Sequence, residues 1–335
     1  MDKSLFDLTC KYSSLSIIGM CKNAGKTTAL NSLVNSVPDS EVLALTSIGR
    51  DGERVDTVTG TKKPGIYIKE GSLFATAEKL LRSCDVTREI LEATDISTPL
   101  GDVVLARALS DGNVEIAGPS IIAQLTEISG LFRAHGADRI FIDGAAGRKT
   151  LCTGKLADAT ILCAGASFSP NMEETIAETA HICSLLMTKE LPEIKKQIET
   201  IKLSGKYIIF AEEITAWQDG IDIAEALKKT KAPHSLYICG AITDNLLDCL
   251  IRAGCLGALT LIADDASKLL LSSGFKQKLT ALSCRLGVLE EINLAAITTN
   301  PFSAYGSHYE SDTFIQKMQS AVPVPVINVK GTIKC

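Results

Sequence analysis

Short aliphatic runs alternate with amphipathic stretches along nearly the whole chain, and this alternation predicts repeated β–α units. The aliphatic runs have the length and composition of strands buried in a parallel sheet. Strands are predicted at residues 15–18, 42–45, 66–68, 140–142, 160–163, 207–210, 236–239, 259–263, 295–298 and 326–329. Helices are predicted at residues 26–37, 73–84, 87–93, 119–134, 170–186 and 189–206. The pattern therefore favours an α/β fold with a mostly parallel sheet.

One segment interrupts this pattern. Two apolar runs, 103–108 and 114–117, flank Ser110-Asp111-Gly112. An Asp-Gly pair between apolar runs is a strong hairpin signal, because both residues tolerate positive φ. We therefore expect a β-hairpin insertion near residues 103–117.

The charged helical stretch 189–206 is interpreted as the join between two halves of the chain. On this interpretation residues 1–190 form a nucleotide-binding domain. Residues 200–335 form a second α/β unit and a candidate partner-binding domain.

Charge and composition exclude several classes of protein. The net charge is −5 and no cluster of Lys and Arg is present, so a nucleic-acid binder is not expected. No apolar run is long enough for a membrane span, and the first residues lack the layout of a signal peptide. The 11 cysteines include no Cys-x-x-Cys pair, which is typical of a reducing compartment. We expect a cytoplasmic protein without a zinc site or a disulfide framework.

The segment Gly-Met-Cys-Lys-Asn-Ala-Gly-Lys-Thr-Thr, residues 19–28, is called the glycine loop below. An aliphatic strand precedes it and a helix follows it, which is the context of a P-loop. Backbone N–H groups and the helix N-terminus would bind the phosphates of ATP. The residues expected to contact the nucleotide are Gly19, Asn23, Ala24, Gly25, Lys26, Thr27 and Thr28. Lys26 would reach the β- and γ-phosphates, and the Thr27 hydroxyl would coordinate Mg²⁺.

The glycine loop departs from the common P-loop pattern in its spacing. Five residues separate Gly19 from Gly25, where the common pattern has four. This spacing resembles that of dethiobiotin synthetase and its relatives, in the branch that includes the MinD-type ATPases. Many members of that branch carry a second lysine at the position of Cys21. Here that position holds a cysteine, and Lys22 lies one residue further on, so it is not assigned this role.

Two further segments supply candidate catalytic groups. Asp143 follows the strand at 140–142 and would hold Mg²⁺ as the Walker-B carboxylate. Gly144 and Gly147 would let this segment approach the γ-phosphate. After the second strand come Thr46, Ser47, Arg50, Asp51 and Glu53. Asp51 would organise Mg²⁺ or the attacking water, although a solvated polar turn explains the same residues.

The chain resembles the P-loop ATPase subunits of the reactivases that serve lysine 5,6-aminomutase. The matching segments are residues 4–8, 19–28, 46–53, 101–120 and 142–145. They lie in roughly the first half of the chain. Since the glycine loop is shared by many families, residues 46–53 and 101–120 carry the specific part of the resemblance.

The resemblance implies a chaperone-like ATPase. Such a subunit couples the binding and hydrolysis of ATP, with Mg²⁺, to the exchange of damaged cobalamin for intact adenosylcobalamin on a lysine or ornithine aminomutase. It also implies two partners, a MutS-related second reactivase subunit and the adenosylcobalamin-dependent aminomutase itself. Lys26, Thr27 and Asp143 would drive the switch. No Asp-x-His-x-x-Gly segment is present, so no tightly bound cobalamin is expected on this chain.

Two alternatives remain open from the sequence. The glycine spacing also fits a dethiobiotin-synthetase-like ligase or kinase that acts on a small metabolite. The displaced first glycine also fits a nucleotide-dependent scaffold without significant turnover.

Overall fold

A computed structural model describes residues 4–49, 65–146, 156–201, 207–217 and 222–329. The chain divides into two units. The first unit comprises Met1–Ala180 and Asn293–Cys335, and the second comprises His181–Ile292. The second unit is therefore an insertion in the sequence of the first.

A mixed nine-stranded sheet forms the first unit. Its strands, in spatial order, are β18 (Val326–Asn328), β17 (Leu294–Asn300), β9 (Ala159–Gly165), β1 (Ser14–Gly19), β8 (Arg139–Ala146), β2 (Leu43–Ser47), β4 (Leu73–Ala77), β6 (Gly101–Ala108) and β5 (Arg88–Thr98). The six pairings from β18 to β4 are parallel. The pairings of β6 with β4 and with β5 are antiparallel. The predicted α/β class and the largely parallel sheet are thus confirmed.

Helices accompany the strands of this unit. They are α1 (Leu5–Thr9), α2 (Lys26–Ser36), α3 (Glu78–Leu81), α4 (Ile122–Ala134), α5 (Met172–Leu186) and α10 (Ser311–Ala321), and α5 runs on into the second unit. The helix α2 buries Leu30, Leu33 and Val34 in the core that it shares with β1. Within the described ranges, no helix combines the length and the apolar character that crossing a membrane would require.

The second unit contains a five-stranded sheet. In spatial order its strands are β11 (Thr215–Trp217), β10 (Tyr207–Phe210), β12 (Ser235–Ile238), β14 (Thr260–Asp265) and β16 (Arg285–Glu290). The other elements are α6 (Pro192–Ile201), α7 (Ile223–Lys229), β13 (Ile242–Thr243), α8 (Asp244–Arg252), β15 (Leu269–Leu270) and α9 (Ser273–Ala281). Apolar residues of α6 pack on the core of this sheet.

The predicted division of the chain differs from the observed one at its C-terminal end. Residues 200–335 were expected to form one domain, but β17 and β18 belong to the nine-stranded sheet of the first unit. The strand β17 pairs in parallel with β9, from Leu294 opposite Thr160 to Asn300 opposite Gly165. Strand partners this distant in sequence leave no local signal, and the aliphatic pattern alone assigned the strand to the nearer unit.

The predicted hairpin at residues 103–117 is wrong in its pairing. The strand β6 already has β4 on one edge and β5 on the other, so it offers no edge to the next strand. That strand, β7 (Gly112–Val114), pairs with β3 (Ile66–Ile68) instead. The Asp111 carboxylate fixes this turn by accepting hydrogen bonds from the Tyr67 hydroxyl and the Glu70 N–H, both at 2.8 Å.

The helices predicted at 73–84 and 87–93 are largely strands. Residues 73–77 form the fully buried β4, and helix α3 covers only four residues after it. Residues 88–98 form β5, whose β-branched residues Ile90, Thr94 and Ile96 suit an extended chain. A short apolar run fits a buried strand or a helix equally well, and the neighbouring strands of the sheet decide between them.

The start of β1 is anchored by Asp158, which precedes β9. Its carboxylate accepts hydrogen bonds from the Ser13 hydroxyl at 2.7 Å and from the N–H groups of Ser13 and Ser14, both at 2.9 Å. Burial favours the neutral acid, but these hydrogen bonds outweigh it and lower the pKa of Asp158. The anchor therefore acts as a carboxylate at neutral pH.

We predict that Asp158→Ala lowers the free energy of unfolding at pH 7 by about 1 kcal/mol, since the carboxylate is partly exposed to solvent. Because the folded-state pKa lies below the ordinary pKa of an aspartate, about 3.9, the contribution is present above that value. It disappears as the pH falls through the folded-state pKa. Urea unfolding of the native chain and of Asp158→Ala, at pH 7 and at pH 3 and below, measures this contribution. A difference in the free energy of unfolding that is as large at the lowest pH as at pH 7 would contradict the prediction.

Candidate functional site

The glycine loop connects β1 directly to α2. Gly19 is the last residue of β1, and Lys26 is the first residue of α2. Two residues of the loop have positive φ, Asn23 at 59° and Gly25 at 100°. Left-handed residues placed among right-handed ones turn successive N–H groups towards one side, and such concavities bind anions. The left-handed residues at positions 23 and 25 are compatible with such a concavity.

The position of Gly19 is explained by Lys26. A Cβ atom on Gly19 would lie 3.1 Å from Lys26 Cγ and 3.2 Å from Lys26 Cδ. The lysine stem therefore folds back over the loop and occupies the space that a side chain at position 19 would take. The glycine that stands one place earlier than in the common P-loop pattern has a packing role for the lysine.

The loop lies where the strand order of the sheet reverses. From β1 the chain continues past β8 to β2, whereas from β9 it leads to β17 on the other side. In open α/β sheets, ligands bind outside the carboxyl ends of strands at such a switch point. Met20 N–H donates to Cys163 O at 2.9 Å, which joins the start of the loop to β9.

The apex of the loop packs tightly on the ends of β9 and β17. Ala24 is buried, and a Cβ on Gly165 would lie 3.2 Å from its backbone. A Cβ on Gly25 would lie 3.1 Å from Asn300 Cβ. The Asn300 Nδ2 donates to Asn23 O at 3.2 Å. These contacts were not predicted as a group; the only sequence signal was that Asn300 follows a predicted strand.

The candidate acid Asp143 lies on β8, between β1 and β2. It stands opposite Ile17 of β1 and Ser47 of β2. The sequence predicted that the strand ends at this residue, but β8 continues to Ala146 through an irregular register opposite Gly19. Asp143 therefore lies near the carboxyl edge of the sheet, inside the strand and not after it.

The buried thiol of Cys163 lies within electrostatic range of two charged candidates. Its pKa is raised to about 11, chiefly by burial. A hydrogen bond to Thr298 and the charge of Lys26 lower this pKa, and the charge of Asp143 raises it. Each of the two charged side chains therefore acts on the same sulfur atom.

The two threonines of the loop lie on the first turn of α2. Thr28 lines a small cleft of about 10 Å³ beside Gly25 and Asn300. Thr27 and Thr28 also line a cavity of about 390 Å³ along the flank of α2, together with Ser4, Asn31, Asn35 and Ile327. The described residues of this cavity carry no charged side chain. It therefore differs from the charged phosphate site expected at the loop itself.

The end of β2 packs on the segment after β7. Thr46 and Ser47 are buried, and the Ser47 hydroxyl donates to Ile116 O at 3.0 Å and accepts from Gly118 N–H at 3.2 Å. Thr46 donates to Ala75 O at 3.4 Å. Both hydroxyls, which the sequence offered among the candidate catalytic groups, therefore hold backbone segments together.

Four further candidates, from this segment and from the one after Asp143, lie outside the described residues. They are Arg50, Asp51, Glu53 and Gly147. Among the described residues, no group of three or more His, Cys, Asp or Glu side chains is arranged to hold a metal ion. The predicted Mg²⁺ ligands, Thr27 and Asp143, combine a hydroxyl and a carboxylate, and these oxygen donors suit that ion together with phosphate oxygens.

Comparisons with known protein families, curated proteins and solved structures found no match to this chain.

We predict that Gly118→Ala lowers the free energy of unfolding by about 1–3 kcal/mol, because the new Cβ would lie 2.1 Å from Ser47 O. Gly130 in α4 is the matched control, since nothing lies within 4 Å of a Cβ there. Gly130→Ala should raise the free energy of unfolding by up to about 1 kcal/mol. Chemical denaturation of both variants measures these effects, and equal stability of the two would contradict the close packing.

Proposed function

We propose that this chain is a Mg²⁺-dependent P-loop ATPase. The observation that carries the proposal is the glycine loop itself. It has left-handed residues at Asn23 and Gly25, leads into the N-terminus of α2, and has Lys26 folded back over it. This arrangement supplies backbone N–H groups and one ammonium group to a polyphosphate.

Several features support the same reaction. Asp143 stands opposite Ile17 of β1, the strand that leads into the glycine loop and Lys26. The Thr27 hydroxyl and the Asp143 carboxylate would hold Mg²⁺, which neutralises charge on the phosphates. Lys26 would bind the β- and γ-phosphates and stabilise the charge that develops during transfer to water. The position of the loop at the switch point of the sheet agrees with a nucleotide site.

We predict that Lys26→Ala weakens the binding of Mg·ATP by about tenfold to 100-fold, because a charge-assisted hydrogen bond to phosphate is lost. Lys22→Ala is the control, since Lys22 is exposed in the same loop. It should change the affinity by less than about threefold. Titration calorimetry measures both, and an unchanged affinity in Lys26→Ala would refute the nucleotide site.

We propose further that this ATPase is the reactivase subunit that its sequence resembles. The two segments that carry the specific part of the resemblance, 46–53 and 101–120, meet in their described parts, where Ser47 hydrogen-bonds to Ile116 and Gly118. Ser47 also stands opposite Asp143 in the sheet. Segments that pack on each other beside the candidate acid fit one shared function, in which nucleotide-dependent contacts open a client enzyme.

We expect the purified chain, with its MutS-related second subunit, to restore activity to an inactivated adenosylcobalamin-dependent aminomutase. Recovery should require ATP, Mg²⁺ and free adenosylcobalamin, and Lys26→Ala should abolish it. Full recovery with Lys26→Ala would exclude the ATP-coupled mechanism. Phosphate release that responds to a small metabolite and not to the mutase would favour the ligase or kinase. Tight ATP binding without turnover would favour the scaffold.

A further inference from the structure

Asn300 contacts the glycine loop from a distant part of the chain. It is the last residue of β17, and its side-chain Nδ2 donates to the carbonyl oxygen of Asn23 at 3.2 Å. The two residues are 277 positions apart. Asn23 is the residue of the loop that takes a left-handed conformation without being glycine.

Hydrogen bonds hold both the side chain and the backbone of Asn300 in place. Its side-chain Oδ1 accepts a hydrogen bond from Phe302 N–H at 3.3 Å. Its backbone oxygen accepts from Ala166 N–H at 2.9 Å. The amide orientation follows from these partners, because the NH₂ group must face the Asn23 carbonyl and the oxygen must face the Phe302 N–H. The orientation of the Nδ2 donor is therefore set by residues outside the glycine loop.

The surrounding backbone leaves little space for the loop to move. A Cβ on Gly25 would lie 3.1 Å from Asn300 Cβ, and one on Gly165 would lie 3.2 Å from both Ala24 O and Asn300 O. The apex of the loop is thus in van der Waals contact with the ends of both strands. The hydrogen bond to Asn23 adds a directional contact to this packing.

The conformation at Asn23 matters for any anion in the loop. A left-handed residue among right-handed neighbours turns the adjacent N–H groups to one side, and a rotation at this residue would disperse them. Left-handed φ is unfavourable for residues other than glycine, although asparagine tolerates it better than most. A fixed donor on the Asn23 carbonyl favours the left-handed conformation that Asn23 adopts.

We propose that Asn300 is a positioning residue for polyphosphate binding, acting through the carbonyl of Asn23. This inference rests on the proposed function of the glycine loop. Asn300 holds the loop in its anion-binding form before the ligand arrives, so its removal lowers affinity for the phosphates and leaves recognition of the base unchanged.

The test compares Asn300→Ala with a matched variant beside the other end of the same strand. Asn293, just before β17, makes the same kind of bond, with its Nδ2 donating to Asp158 O at 3.2 Å. The probes are Mg·ATP and Mg·tripolyphosphate, measured by calorimetry on the full chain, with thermal unfolding recorded for each variant. Asn300→Ala should lower the affinity for both probes by the same factor, about tenfold. Asn293→Ala should lower the unfolding temperature comparably and leave both affinities unchanged.

Two conservative variants keep the test decisive if Asn300→Ala does not fold. Asn300→Asp keeps the shape but removes the donor, so it should bind both probes at least as weakly as Asn300→Ala. Asn300→Gln keeps a donor on a longer stem and should recover part of the affinity.

Four results would overturn the inference. Equal losses of probe affinity in Asn300→Ala and Asn293→Ala would show that Asn300 only stabilises the fold. Loss of ATP binding with unchanged tripolyphosphate binding would show that Asn300 serves recognition of the base and not of the phosphates. Unchanged affinity in Asn300→Ala, with binding lost in Lys26→Ala, would refute the inference and leave the proposed function intact, whereas a native chain that binds neither probe would refute both.

Discussion

The candidate site depends on the close contact between the glycine loop and the carboxyl ends of β9 and β17. An isolated loop of this sequence would sample many backbone conformations, and fixing them costs about 1–2 kcal/mol per residue. Here the loop is held at Met20, Ala24, Gly25 and Asn23 by neighbouring strands. The absence of side chains at Gly25 and Gly165 permits the approach, and the Asn300 amide gives it direction. The backbone form of the loop is thus set by tertiary packing.

The chain connectivity gives this contact a further consequence. The strand β9 precedes the second unit in the sequence, and β17 follows it. Both strands that abut the glycine loop are therefore joined through the chain to the inserted unit. In the proposed function, a change in the loop on binding or releasing a nucleotide would act on the ends of these two strands.

The other side of the site is organised by a second close approach, in which Gly118 packs on the backbone at the end of β2. The Ser47 hydroxyl joins the two segments by one donated and one accepted hydrogen bond. Hydroxyls that looked like catalytic candidates in the sequence serve to fix backbone instead. The loop after β2 consequently starts from a rigid base next to Asp143.

The sequence by itself determined the parts of the protein that local physics fixes. An aliphatic run, a glycine loop and Gly-Lys-Thr before a helix specify β1, the turn and α2, because a glycine at the helix start permits the left-handed turn. Only the tertiary structure decided that residues 73–77 and 88–98 are strands, that β7 pairs with β3, and that residues 294–300 return to the first sheet. It also decided the bond from Asn300 to Asn23. Each of these features depends on a strand edge or a carbonyl group that a segment distant in sequence supplies. The local sequence does not specify that partner.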